Sequence, residues 1–299
     1  MSLRINTNVA ALNAYNNLAA NQNAQASSFE RLSSGLRINK AADDAAGLSI
    51  SQGLTSQING LTQAVSNAQD GINVAQIADG ALGTTQNILQ RMRTLVVQAG
   101  NTGTQDASSL AAIQGEVVKL NSQLDNIASQ TKFGATNLLD GSFNKNFQVG
   151  ANGGDTIGLD LSSSDVTSSD VGGNGAGGVD LTALKIVGTA VAGTPVTYTP
   201  PTTYATADAT ADLATIDSAI SKISSARSGI GATQNQLNYT VTNLQTAITN
   251  VTASRSNLTD ADLASEVTKM TQSQILTQAA TSVLAQANSA PQAILKLLQ

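Results

Sequence analysis

Residues 216–258 read IDSAISKISSARSGIGATQNQLNYTVTNLQTAITNVTASRSNL. Alternating steps of four and three from Ile216 reach Ile220, Ile223, Arg227, Ile230, Gln234, Leu237, Val241, Leu244, Ile248, Val251, Arg255 and Leu258. All but Arg227, Gln234 and Arg255 are apolar. A repeat of about 3.5 residues held this long winds a left-handed seam around a partner helix, on a rod of roughly 64 Å. Such a stripe cannot bury itself. The same chain supplies partners: Leu54, Ile58, Leu61, Val65, Ala68, Ile72 and Ala75 keep the alternation, Leu82, Leu89 and Val96 prolong it at every seventh residue, and Ile113, Val117, Leu120, Leu124 and Ile127 repeat it. The expected fold is mainly α, an elongated bundle of long antiparallel coiled-coil helices.

The composition supports narrow helical seams over a globular enzyme core. The 299 residues include no Trp, His or Cys and only four Phe and four Tyr, so the core must come from Ala, Leu, Ile and Val. Without Cys there is no disulfide framework and no thiol chemistry. Without His as well, the usual ligands of zinc, haem and iron–sulfur centres are missing, and imidazole base catalysis is excluded. No cofactor is therefore expected. The net charge of −5 and the lack of a Lys/Arg cluster argue against a nucleic-acid or acidic-lipid surface. Met1 to Asn6 lack a secretory apolar run and no stretch approaches 18 apolar residues, so export is expected to use a route that reads no cleavable signal.

Along the chain, residues 1–42 carry a thin stripe (Ile5, Val9, Leu12, Leu18, Phe29, Leu32, Leu36) among Asn, Gln, Ala and Ser. So little apolar surface leaves a lone helix marginal, and this end is expected to be disordered in a monomer. Ser33-Ser34-Gly35 reads as a break, and Asp43-Asp44 as the cap of a rod running to Ala99. Gly100-Asn101-Thr102-Gly103 turns the chain into an antiparallel helix near Ala107–Ser129. Phe133 through Gly150 suggests a small β-hairpin. Residues 151–205, with Gly172–Gly178 and Pro195, Pro200 and Pro201, read as a surface insertion of turns and short strands. Beyond Asp260-Ala261-Asp262 a last helix is marked by Leu263, Val267, Met270, Leu276, Ala280, Val283 and Ala287, closed by Asn288-Ser289-Ala290-Pro291 before Ile294–Leu298. This end is as poor in charge and apolar bulk as the first, and the two suit each other. The expected domains are residues 1–42 with 259–299, a discontinuous terminal-helix domain, and 43–258, a rod domain of three long helices that includes a β- and turn-rich insertion at 141–210.

Several ordered motifs resemble bacterial flagellin: Ile5-Asn6-Thr7-Asn8, Glu30 to Asn39 (ERLSSGLRIN), Asp43-Asp44-Ala45-Ala46-Gly47-Leu48, Gln286 to Gln292 (QANSAPQ) and Leu297-Leu298-Gln299. The likeness covers roughly residues 1–140 and 215–299. It implies an extracellular subunit of the bacterial flagellar filament, exported unfolded by the flagellar secretion apparatus. Its terminal helices would line an inner tube, its three long helices the next shell, and its middle the outside. Polymerisation would fall to Ile5, Val9, Leu12, Val283, Ala287, Leu295 and Leu298. The resemblance further implies as partners other copies of the chain, a secretion chaperone at the C-terminal helix, hook-associated and cap proteins, and host innate immune receptors. The patch Gln90, Arg91, Leu95, Gln98 and Glu116 is similar to that gripped by an animal Toll-like receptor. Glu30 to Ser51 is similar to the epitope of plant receptors, matching at Arg37, Asp43, Asp44 and Gly47.

Other features read more plainly. Asp43-Asp44 lacks a third ligand and serves better as a helix cap than as an acid/base pair. Arg227 and Arg255, on the seam, read as stems laid along it with their heads in water. The Asn-x-Thr triplets at 238, 250 and 257 lie on the rod and read as chance, whereas Ser and Thr within 162–169 are better placed for O-linked sugars. Gly172–Gly178 lacks the Lys-Ser/Thr and following helix of a phosphate loop. The alternatives are a hook-associated junction protein, normally with a larger middle, and an adhesin using the 141–205 tip. An enzyme fits least.

Overall fold

The computed structural model describes residues 8–101, 103–169, 171, 180–181 and 206–298, with the side chains of the last segment described over 209–289. The elements run α1 (Val9–Ser34), α2 (Ala45–Ala99), α3 (Ala107–Gln130), β1 (Lys132–Phe133), β2 (Thr136–Asn137), β3 (Asn144–Gln148), β4 (Thr156–Asp160), a 3-10 turn at Ser162–Ser164, α4 (Thr206–Thr259) and α5 (Leu263–Leu298). The fold is mainly α, as the periodicity requires. Two small antiparallel strand pairs, β1 with β2 and β3 with β4, are added to it. Contacts divide the chain into two compact units, residues 1–59 with 248–299, and residues 60–247. The divisions fall inside α2 and α4, which run through both units.

The unit of residues 60–247 holds the hydrophobic core. Every seventh residue of α4 from Ile216 to Leu244 is buried (Ile216, Ile223, Ile230, Leu237, Leu244), and so is every seventh of α2 from Leu61 to Val96. The intervening positions Ile220, Arg227, Gln234 and Val241 are half-buried, the burial expected along a seam of about 3.5-residue period. The two helices run antiparallel. Arg93 Nε meets Asp217 Oδ1 at 2.7 Å, Arg227 Nε meets Asp79 Oδ1 at 2.8 Å, and further along Ala68 and Leu237 share a buried cluster. Leu110, Ile113, Val117 and Leu124 of α3 join Leu82, Leu89, Met92 and Leu95 in the main core. Asp106 caps α3, accepting from Ser109 N at 2.8 Å. The hydrogen bonds from Ser109 and Ser108 bring its carboxyl down to about 2.

Strands β3 and β4 pair from Asn144↔Asp160 to Gln148↔Thr156, and Asn67 Nδ2 holds the hairpin to α2 through Gln148 O at 2.9 Å. Its inward Ile157 and Leu159 alternate with exposed neighbours. The segment after β4 is less exposed than its composition suggests. Ser164 and Ser168 are buried, and Asp125 of α3 accepts from Ser168 N at 2.8 Å and Ser168 Oγ at 3.2 Å. Those two residues do not fit the O-linked sugar expectation. Gly172–Gly178 and the prolines at 195, 200 and 201 lie outside the described residues.

Two further expectations are corrected. Arg227 is half-exposed, but its head is not left to water alone. Its guanidinium takes Asp79 through two nitrogens, at 2.8 and 3.4 Å, and Gln86 Oε1 at 2.8 Å, because the facing helix offers these acceptors beside the seam. Nor does α5 close before Pro291, for it continues to Leu298.

Residues 9–34 and 263–298 form helices, and α1 packs on α5. Replacing Leu89 in the core by Ala is expected to lower the stability of the 60–247 unit by about 2–5 kcal/mol. Tyr239→Ala, at a side chain 78% exposed, is expected to change it by no more than about 0.5 kcal/mol. Urea midpoints followed by circular dichroism check both.

Candidate functional site

The unit of residues 1–59 and 248–299 is built differently. Its buried apolar residues among those described are Ala14 and Ile38 alone, and both buried clusters belong to the other unit. Meanwhile Val9, Leu12, Tyr15, Phe29, Leu263, Val267, Ile275, Leu276 and Val283 stand exposed on α1 and α5, Phe29 at 66% and Ile275 at 60%. Of the residues expected to carry polymerisation, Val9, Leu12 and Val283 are each more than half exposed, and Ala287 is half-buried. The backbone of Ile5 and the side chains of Leu295 and Leu298 lie outside the described residues. These exposed apolar side chains are carried by two helices that pack on each other.

What holds this unit is largely polar, and it gathers where α1 ends. Gly35 takes the left-handed conformation (φ 71°) that a helix C-terminus favours, and its amide donates to Arg31 O at 2.9 Å. The chain then pairs with the α4–α5 turn: Arg37 N donates to Thr259 O at 2.7 Å and Ala261 N to Gly35 O at 2.9 Å. The Arg37 guanidinium donates to Leu258 O, one of the carbonyls that the end of α4 leaves free. Asp43 and Asp44 divide the work. Asp43 Oδ2 accepts from the Asn39 and Lys40 amides at 3.1 Å, and Asp44 Oδ1 accepts from Gly47 N at 2.9 Å to start α2. Gly47 is buried there. A Cβ would come within 2.7 Å of Ile38 Cδ1 and also strike the Asp44 carboxylate. Of the four residues matching the plant epitope motif, Asp43, Asp44 and Gly47 order the entry to α2, while Arg37 binds the end of α4.

Sequence reasoning missed the charges beside these contacts. Arg31 lies 3.9 Å from Asp43 and 4.0 Å from Glu266, and Lys269 Nζ lies 3.2 Å from Glu266. Arg31 and Glu266 carry no periodic or motif signal that foretells a meeting of α1 with α5. The amides of Asn39 and Lys40 pull the Asp43 carboxyl below its usual range, helped by Arg31. For Glu266 burial pushes upward, but hydrogen bonds from Ser28 and Lys269 and the nearby cations outweigh it, so its net shift is downward.

On the other unit, Gln90, Arg91 and Gln98 form an exposed strip on α2. Arg91 Nε donates to Glu116 Oε1 of α3 at 2.8 Å, and this bond raises the Arg91 pKa. Leu95 does not share that surface. It is 1% exposed and sits in the core with Met92 and Ala99, because the inward face of α2 here is wider than one seam position.

The residues 5–144 match the family model for the bacterial flagellin N-terminal helical region, and residues 213–298 match that for the bacterial flagellin C-terminal helical region. The flagellin of Bacillus subtilis (strain 168) is 43% identical over 99% of this chain and 100% of its own length. That of Xenorhabdus nematophila is 48% identical over 100% of both. Flagellin B of Vibrio cholerae is 51% identical over 54% of this chain and 43% of its own length.

The lowered carboxyls set a pH dependence. A carboxyl whose folded pKa lies below its unfolded value adds stability that is fully present above the unfolded value, about 4, and is lost as pH falls through the folded one. Acidification from pH 6 to below about 4 is therefore expected to speed amide exchange at 9–50 and 259–289, and in the first turn of α3 behind the Asp106 cap, before it does so at the buried heptads of α2 and α4. Hydrogen exchange read by mass spectrometry checks this, and Glu266→Gln is expected to lessen the pH response.

Proposed function

Since this chain belongs to the bacterial flagellins, structural subunits of the extracellular flagellar filament, we propose that its filament forms by coupled folding and assembly of α1 with α5. The observation that carries this reading is the contrast between the units. One has a dry core of its own, whereas the other exposes Val9, Leu12, Phe29, Ile275 and Val283 and buries little. Neighbouring copies supply the missing half of that surface, so order at the ends and polymerisation arise together. Ile5, Leu295 and Leu298 extend the same segments and take part with them. Head-to-tail contacts that do not close into a ring produce a helical filament. Hook-associated and cap proteins meet the same surfaces at the filament's ends, and a secretion chaperone covers α5 before export. Export of the unfolded chain is helped by the absence of cysteine, since no disulfide has to open or form on the way.

Host recognition uses two further places. The strip Gln90, Arg91, Gln98 with Glu116 is proposed as the animal receptor patch, with Leu95 setting the helix from beneath. The pre-paired Arg91 supports this, because an ordered guanidinium loses less freedom on binding. The segment Glu30 to Ser51 is proposed as the plant receptor epitope. Its residues Asp43, Asp44 and Gly47 order the entry to α2 and Arg37 binds the end of α4, so a receptor reading them needs the segment released from the folded chain.

The deciding experiment is electron microscopy of seeded protein, full length and with residues 1–42 and 259–299 removed. Long uniform tubes from the full chain alone are expected. Tubes from the trimmed chain would place assembly in the long helices instead. In a receptor reporter assay Arg91→Ala is expected to lower potency by about tenfold or more, while Tyr239→Ala leaves it unchanged.

A further inference from the structure

A proline inside a helix contributes no amide, so the carbonyl four residues before it loses its partner. In α5 that proline is Pro291 and that carbonyl belongs to Ala287, yet the helix runs on to Leu298. The vacancy is filled from the far end of the sequence. Asn8 Nδ2 donates to Ala287 O at 2.8 Å across a separation of 279 residues. The other end of the same side chain is also engaged, since Asn8 Oδ1 accepts from Ala11 N at 3.1 Å and caps α1. One carboxamide therefore completes the start of one helix and the interrupted turn of another.

The choice of residue follows from this double duty. Ser, Thr and Asp cap a helix about as well as Asn. An ionised carboxylate has nothing to donate, and a hydroxyl has a single, less far-reaching oxygen; only an amide offers an acceptor and a donor on separate atoms. The position matters as much. Arg31 of α1 lies 4.0 Å from Glu266 of α5, and Leu36 bridges Asp260 just before α5 begins. With Asn8 at Ala287, these contacts describe one antiparallel register, pinned near both of its ends. A slip by one turn would bring Asn8 opposite a carbonyl already used by its own helix and leave that of Ala287 unpaired. Because Ala14 and Ile38 are the buried apolar residues described in this unit, packing alone specifies that register weakly.

We propose that Asn8 is a positioning residue of the terminal-helix pair, which recognises the carbonyl freed by Pro291 and so sets the register in which α1 and α5 meet a neighbouring copy. The part concerning a neighbouring copy rests on the filament function proposed above; the contact itself does not.

The test is a double-mutant cycle on the full-length chain: wild type, Asn8→Asp, Pro291→Ala and both together. Asn8→Asp keeps the cap of α1 and removes the donor; the charge it adds is common to both backgrounds and cancels in the cycle. Pro291→Ala gives Ala287 O its own helical partner and makes the Asn8 donor redundant. Hydrogen exchange of segments 9–34 and 263–289 is read in both seeded and soluble protein, together with the critical concentration for assembly. In the proline background Asn8→Asp is expected to reduce protection of both segments about fivefold and to raise the critical concentration by a similar factor, the worth of one hydrogen bond. In the Pro291→Ala background the change is expected to stay below about twofold. Equal losses in both backgrounds, or none in either, overturn the proposal. A wild-type chain that never assembles refutes the filament function alone, since exchange in the soluble chain still reads the contact. Soluble wild type with neither segment protected, and no filaments, overturns both.

Discussion

A stripe of Leu, Ile and Val on a helix of more than fifty residues can be kept dry only by another helix of comparable reach, and the pairing of α2 with α4 across residues 60–247 meets that need. The rest of this unit follows from it. Helix α3 covers the flank of the pair, and the β3–β4 hairpin and the segment held by Asp125 close what remains. The ion pairs Arg93–Asp217 and Arg227–Asp79 lie at the seam's margins, half-exposed, where such pairs contribute little energy but favour one alignment over a slipped one.

Concentrating the burial in one unit leaves the other to polar means. Residues 1–59 and 248–299 are joined by backbone bonds at Gly35, Arg37 and Ala261, by caps at Asn8 and Asp44, and by the charges around Glu266. These interactions are directional and specify geometry well, but they remove little apolar surface from water. The unit is thus well aligned and poorly covered. That combination suits a part whose remaining surface is completed by other molecules.

The long helices were legible because their signal is periodic. Leu237 and Leu82 declare their burial by falling on a repeat carried by many residues, and turn residues such as Gly100 and Asn101 mark where it stops. The capping role of Asp44 was legible too, from its place before an apolar run. What escaped was whatever depends on a partner distant in sequence. Arg227 reads as a stem beside water until Asp79 and Gln86 are seen across the seam. Pro291 reads as a stop, since nothing near it reveals that Asn8 will complete the turn. Leu95 was misplaced for a different reason. Its neighbours Arg91 and Gln98 are polar, and similarity to a surface patch favoured exposure, although Met92, Val96 and Ala99 give the helix a broad inward face there.

Burial along α4 changes with position. Every seventh residue is buried from Ile216 to Leu244, whereas Ile248, Val251 and Leu258 are half-covered. A single continuous helix therefore passes from a buried seam to a half-covered one, which the bonds to Leu258 and Thr259 pin at its end. Local opening of α4 is thus cheaper in the half-covered stretch beyond Leu244 than in the buried heptads before it.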